Sequence, residues 1–165
     1  MPKVKIGGIM QSEGRALLNI RSLPPQETGE LLAALGRAGV HIELMAESPQ
    51  AEHSSCLTLV VDQKDLERSL ALLGEVQPSS REPEVSFRRE VSVISVFGPH
   101  LREKPRVPGL MFSALARAGV RPLAAATSIS SLSAVVEAAS CQTALEALLA
   151  VFEIPFSVHR RPREY

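Results

Sequence analysis

Between residues 25 and 40, PQETGELLAALGRAGV, the apolar positions recur three and four apart, the spacing of one helix face. From Val40 the pattern changes to alternation: Val40, Ile42, Leu44 and Ala46 fall on one side, and His41, Glu43, Met45 and Glu47 on the other. That segment predicts a strand over 40–47. A second strand is predicted over 55–61, and a second helix over 64–73, where leucines three and four apart supply a packing stripe. The same order returns later in the chain: a strand over 91–96, a helix, a strand over 131–136 and a helix over 142–151.

The two runs are copies of one another. Residues 25–40 align without gaps on 105–120, PRVPGLMFSALARAGV, with eight of sixteen positions identical. The matches, among them Pro25/Pro105, Gly29/Gly109, Leu35/Leu115 and Arg37/Arg117, span the whole window, which low complexity does not produce. In each copy a Pro suits the first helical turn, and Arg-Ala-Gly closes the helix: the Gly takes the left-handed conformation, and the Arg faces the last carbonyls. A strand over 15–20 precedes the first copy, and short apolar segments at 85–87 and 156–158 supply each copy with a last strand. The order is then βαββαβ, an α+β class with two ferredoxin-like units in tandem. The expected limits are 11–88 and 89–159, joined through the solvated segment 77–83, with 160–165 as a frayed basic tail. A strand over 4–10 lies outside the repeat.

Composition narrows the function. In 165 residues, 45% are hydrophobic, enough for a core, and 18 basic residues balance 18 acidic ones, so no long-range field draws nucleic acid or anionic lipid. No apolar run reaches the roughly 18 residues of a membrane span, and the first residues lack a signal-peptide core, so a cytoplasmic location is expected, with no membrane and no nucleic-acid partner. Cys56 and Cys141 lie in no metal-ligand spacing and are expected as free thiols, while His53, His100 and His159 are isolated. Without a phosphate loop, a Ser/His/Asp set or a His/Cys cluster, no enzyme activity, cofactor or metal is expected.

The second copy resembles a known family. Residues 111–120 (MFSALARAGV), Ala126-Thr127-Ser128, 133–136 and 144–154 (ALEALLAVFEI) are similar to the tandem ACT domains that follow the kinase domain of aspartokinases. The resemblance covers nearly the whole chain and implies two ACT domains interleaved through the strand at 4–10, which completes the second domain. It implies a non-catalytic regulatory or sensor module that binds an amino acid or related small metabolite, forms a homodimer and works with a kinase partner, since some aspartokinases use a separate regulatory subunit. The alternative is a structural subunit of an aspartokinase with a degenerate pocket. The kinase domain is absent from these residues, and the family's Pro-Gly at the helix entrance is Pro25-Gln26 in one copy and Pro105-Arg106 in the other. Its acidic residue after the strand end is Ile129.

The resemblance also suggests ligand-binding residues. Gln26, Glu27 and Thr28 open the first helix, where unpaired amide groups suit a carboxylate, although Glu27 can itself satisfy the helix dipole. Glu43 matches the acid that takes a ligand's ammonium group, with His41 two residues before it; both also fit the polar face of a half-covered strand, or part of a dimer seam. In the second copy Arg106 and Val107 stand at the helix entrance, and Leu123 replaces Glu43, which fits a structural unit or a site for another anion. Thr127 and Ser128 at the strand end are equally suited to bonding ligand or backbone.

Overall fold

The structure, a computed structural model, describes residues 2–50, 54–76, 83–155 and 159–160. In chain order its elements are β1 (Val4–Lys5), β2 (Gly8–Leu23), α1 (Pro25–Arg37), β3 (Ile42–Pro49), β4 (Ser55–Asp62), α2 (Leu66–Val76), β5 (Glu84–Phe97), α3 (Arg106–Arg117), β6 (Ala124–Thr127), β7 (Ser131–Glu137), α4 (Cys141–Val151), β8 (Phe152–Glu153) and β9 (His159–Arg160). This is an α+β fold of helices and largely antiparallel strands. The chain divides into two compact units, Gly14–Glu90 and, in two pieces, Met1–Glu13 with Val91–Tyr165, so the divisions fall inside β2 and β5.

In the Gly14–Glu90 unit, β4 is flanked by β2 and β3, both antiparallel to it. Every second residue of β2 and β4 (Ala16, Leu18 and Ile20; Leu57, Leu59 and Val61) enters one core with Leu31 and Leu35 of α1 and Leu66 and Leu73 of α2. The period of two on the strands and of three to four on the helices is the pattern the sequence carries. In the second unit β7 lies between β5 and β6, and β1 pairs in parallel with β8. Its core gathers Ile94, Val96, Met111, Leu115, Ala134, Val136, Leu145 and Leu148, together with Ile6 and Ile9 from the first residues of the chain.

Both α1 and α3 end as the repeated Arg-Ala-Gly predicts. Gly39 and Gly119 have φ of 73° and 71°. Val40 and Val120 donate their amides five residues back, to the Leu35 and Leu115 carbonyls, at 3.0 and 2.9 Å. The left-handed glycine lets the chain turn while the last carbonyls are satisfied.

The structure redraws several elements. β2 is one strand from Gly8, so the strands expected at 4–10 and 15–20 share it, and only Val4–Lys5 stands apart. Likewise β5 runs unbroken from Glu84, joining 85–87 to 91–96 through Glu90, which has φ of 53°. The helix expected over 142–151 ends at Val151, and the next residue, Phe152, is buried and pairs with Val4. The strand expected at 156–158 lies outside the described residues.

Candidate functional site

The two copies differ most at the entrance to their first helix. Ile20 opposes Leu57 in one ladder and Val96 opposes Leu132 in the other, so the two strands are in register. From there the chain takes five steps to Pro25 but nine to Pro105. The extra residues fold as a short 3-10 turn, Leu101–Glu103, preceded by His100 in the left-handed region with φ of 56°. Its start is fixed by a close backbone approach: Gly7 donates its amide to the Phe97 carbonyl at 2.7 Å, and a Cβ on Gly98 would sit 2.7 Å from the Gly7 nitrogen. Its end is fixed by Lys104, whose Nζ donates to the Lys5 carbonyl at 2.6 Å.

Across from this turn is the β6–β7 hairpin. The Ser128 hydroxyl accepts from the amides of Ser130 and Ser131 at 3.3 and 3.1 Å, and the Ser128 amide donates to the Ser131 carbonyl at 2.8 Å. The Thr127 hydroxyl faces the Ser128 and Ser131 carbonyls at 3.4 and 3.3 Å. Both hydroxyls therefore serve the turn. Between turn, hairpin and α3 lies a cavity of about 150 Å³, lined by Leu101, Arg102, Lys104, Pro105, Val107, Pro108, Thr127, Ser128 and Leu132. Its walls are mostly aliphatic. Among the described residues that line it, the charged ones are the exposed Arg102 and the half-buried Lys104.

The first copy is built differently. Gln26 is exposed and donates to Glu30 at 3.4 Å, while Thr28 is buried and bonds the Pro24 carbonyl through its amide at 3.0 Å. Glu27 occupies the place of Val107 and is 6% exposed, with its Oε2 buried and without a hydrogen-bond partner among the described residues. Glu47 opposes Leu57 as Thr127 opposes Leu132, and accepts from Ser55 at 2.7 Å. Glu43 is the extra residue of a bulge where Ile42 and Leu44 oppose Val61 and Val60. Its carboxylate pairs with the buried Arg15, which also lies 3.6 Å from Asp62.

Of the residues singled out in the sequence, Val107, Thr127 and Ser128 meet at one cavity, and Arg106 stands exposed on the adjoining first turn of α3. Gln26, Glu27 and Thr28 share the first turn of α1. Glu43 does not join them. Pro25 follows Leu23, which opposes Ser55 at the start of β4, whereas Glu43 lies beside Val60 and Val61 near its end, about 20 Å away at ~3.3 Å per residue. His41 is exposed immediately before β3. Arg102, Lys104, Leu101 and Leu132 are cavity residues that sequence reasoning missed. The signal that marks the first three is the longer connection in the second copy. Among the described residues no group of three or more His, Cys, Asp or Glu is placed to hold a metal ion.

Residues 94–152, which contain this cavity, match the family model described as an ACT domain. The chain aligns over 90% of its length with the regulatory subunit of aspartate kinase from Thermus thermophilus, covering 99% of that chain with a TM-score of 0.80 at 23% identity. The chain resembles the regulatory region of an aspartokinase. The aspartate kinase of Synechocystis superposes with a TM-score of 0.84 at 20% identity over 97% of this chain and 28% of its own. In sequence, the aspartokinase of Pseudomonas aeruginosa is 24% identical over 151 residues. The chain spans 37% of the length of the curated relatives it matches. At these identities the structural likeness establishes the fold, and the ACT match places the α3 entrance and its cavity within that domain. Among the described residues no helix is long and apolar enough to cross a membrane.

Proposed function

We propose that the chain is a non-catalytic regulatory module of aspartokinase type, built from two ACT units in tandem, and that its small-molecule effector occupies the cavity at the entrance of α3. The observation that carries this is the cavity itself. It combines apolar walls, a tethered cation and the first turn of a helix, the mixture by which small ligands are held and oriented. Occupancy would tie the 3-10 turn to the β6–β7 hairpin, and a partner that reads that difference would be regulated by it. A kinase chain is the partner we propose, and a second copy of this chain the assembly, since a structure of the alpha and beta subunits of aspartokinase shares this fold.

The test is a thermal-shift and calorimetric screen of amino acids and related carboxylates on the full chain and on Thr127→Phe. Thr127 is exposed at the cavity, so a ring there blocks the site while leaving the core alone. A ligand at about a hundred times its dissociation constant should stabilise the parent chain by about 2.7 kcal/mol, and Thr127→Phe should lose that gain. Binding that Thr127→Phe leaves intact would move the site elsewhere. The reading as a structural subunit with a degenerate pocket is favoured by the first copy, where Arg15 already holds Glu43. A chain that joins a kinase but binds nothing in the screen would establish it.

A further inference from the structure

We infer that the entrance of α1 binds the ammonium group of a small amine, with Glu27 as the buried acceptor and Glu47 as the acceptor across from it. The repeat places the two acids. In the second unit Val107 and Thr127 line one cavity, and residues 25–40 align on 105–120 so that Glu27 takes the place of Val107. Glu47 opposes Leu57 as Thr127 opposes Leu132, so both carboxylates border the equivalent space in the Gly14–Glu90 unit. Burial does not argue against this: Val107 lines its cavity while 1% exposed, and Glu27 is 6% exposed. The turn residues Leu101, Arg102 and Lys104, which wall the second cavity, have no counterpart in the five-step connection to Pro25. The one basic residue of that connection, Arg21, lies 3.7 Å from Glu84.

Charge then selects the ligand. The Oε2 of Glu27 is buried without a hydrogen-bond partner, and no basic side chain among the described residues pairs with Glu27 or Glu47. A desolvated carboxylate with an empty acceptor is costly, and the second unit fills the same place with Val, so packing alone does not call for an acid. Donors at the entrance are scarce. The Ser55 hydroxyl has one proton and lies 2.7 Å from Glu47 and 3.3 Å from the Leu23 carbonyl. The amino end of α1 contributes about half a positive charge, which two carboxylates outweigh. A primary ammonium brings a full charge and three donors. The Glu27 charge is shared by both oxygens, so an ammonium that meets the exposed remainder of the side chain compensates it. A metal ion fits less well, since among the described residues no three of His, Cys, Asp or Glu come together.

The experiment is thermal shift and calorimetry on the full chain at constant ionic strength, with four probes: n-butylamine hydrochloride, 1-butanol, sodium butanoate and magnesium chloride. At about a hundred times its dissociation constant, butylamine should raise the melting temperature by about 5 °C or more, and the alcohol and the butanoate should not. Glu27→Gln should weaken butylamine by about tenfold, and Glu47→Gln, at an exposed position, by about threefold. Glu27→Val copies the second unit, so it should melt higher than the parent chain while losing the response to butylamine. Thr127→Phe, which blocks the α3 cavity, should leave butylamine binding unchanged, so this site and the effector cavity stand or fall separately. Butylamine binding that Glu27→Gln does not weaken, or a butanol or butanoate response equal to that of butylamine, overturns the inference. A magnesium response that Glu27→Gln removes, with none to butylamine, replaces the ammonium by a metal ion and overturns it as well.

Discussion

Removing the Arg15 guanidinium should destabilise the Gly14–Glu90 unit by about 2–3 kcal/mol. Arg15 is 8% exposed in its side chain, and the carboxylates Glu43 and Asp62 beside it are 13% and 19% exposed. Deleting one partner of a fully buried ion pair costs about 3–5 kcal/mol, because the other charge stays desolvated without compensation. The residual exposure of the two carboxylates lowers that figure. In Arg15→Met the aliphatic packing is kept and only the charge is lost. Glu43→Gln keeps the shape and should cost less, about 1–2 kcal/mol. Replacing all three residues by apolar ones of similar size should bring stability back to within about 1 kcal/mol of the parent. The second unit already has Val91 at the place of Arg15 and Leu123 at that of Glu43, and it folds around the same ladder. With no Trp and one Tyr, fluorescence is a poor probe, so urea unfolding followed by circular dichroism should measure the loss. Hydrogen exchange at Leu18 and Leu59 should place it in β2 and β4. A change below about 0.5 kcal/mol in Arg15→Met would show that the cluster behaves as a surface pair. If Glu43→Gln leaves stability intact and abolishes amino-acid binding, Glu43 is a ligand group after all.

Three further outcomes follow from backbone geometry and can be read by the same unfolding measurement. Gly98→Ala should destabilise by about 2 kcal/mol or more, because a Cβ there meets the Gly7 backbone at 2.7 Å and the Gly7–Phe97 and Gly98–Ser130 backbone hydrogen bonds hold the two segments in place. Gly29→Ala should stabilise by about 0.5–1 kcal/mol, since the residue is helical, exposed and has open space around its Cβ direction. Gly39→Ala, with equally open space but φ of 73°, should instead cost about 1 kcal/mol, and a stabilising result there would refute the left-handed cap as the reason for the repeated glycine.

Local rules wrote much of this protein into its sequence. The helices from Pro25 and Arg106, their glycine ends and the alternating faces of the strands around Leu18 and Leu59 depend on residues a few positions apart, so periodicity and a repeat suffice to find them. The entrance to α3 was partly legible for the same reason, since Val107, Thr127 and Ser128 sit at element ends that a pattern can mark. Tertiary structure decided the rest. Whether Glu43 is an open acid or a clamp depends on Arg15, 28 residues away in sequence and brought beside it by a bulge that no spacing rule announces. The extents of β2 and β5 were settled by continuity between neighbouring segments that the pattern had read as separate strands. The charge of the cavity likewise comes from a turn whose residues have no common period. Lys104 lines the cavity while its ammonium donates to the Lys5 carbonyl, 99 residues earlier, a contact that sequence spacing does not announce.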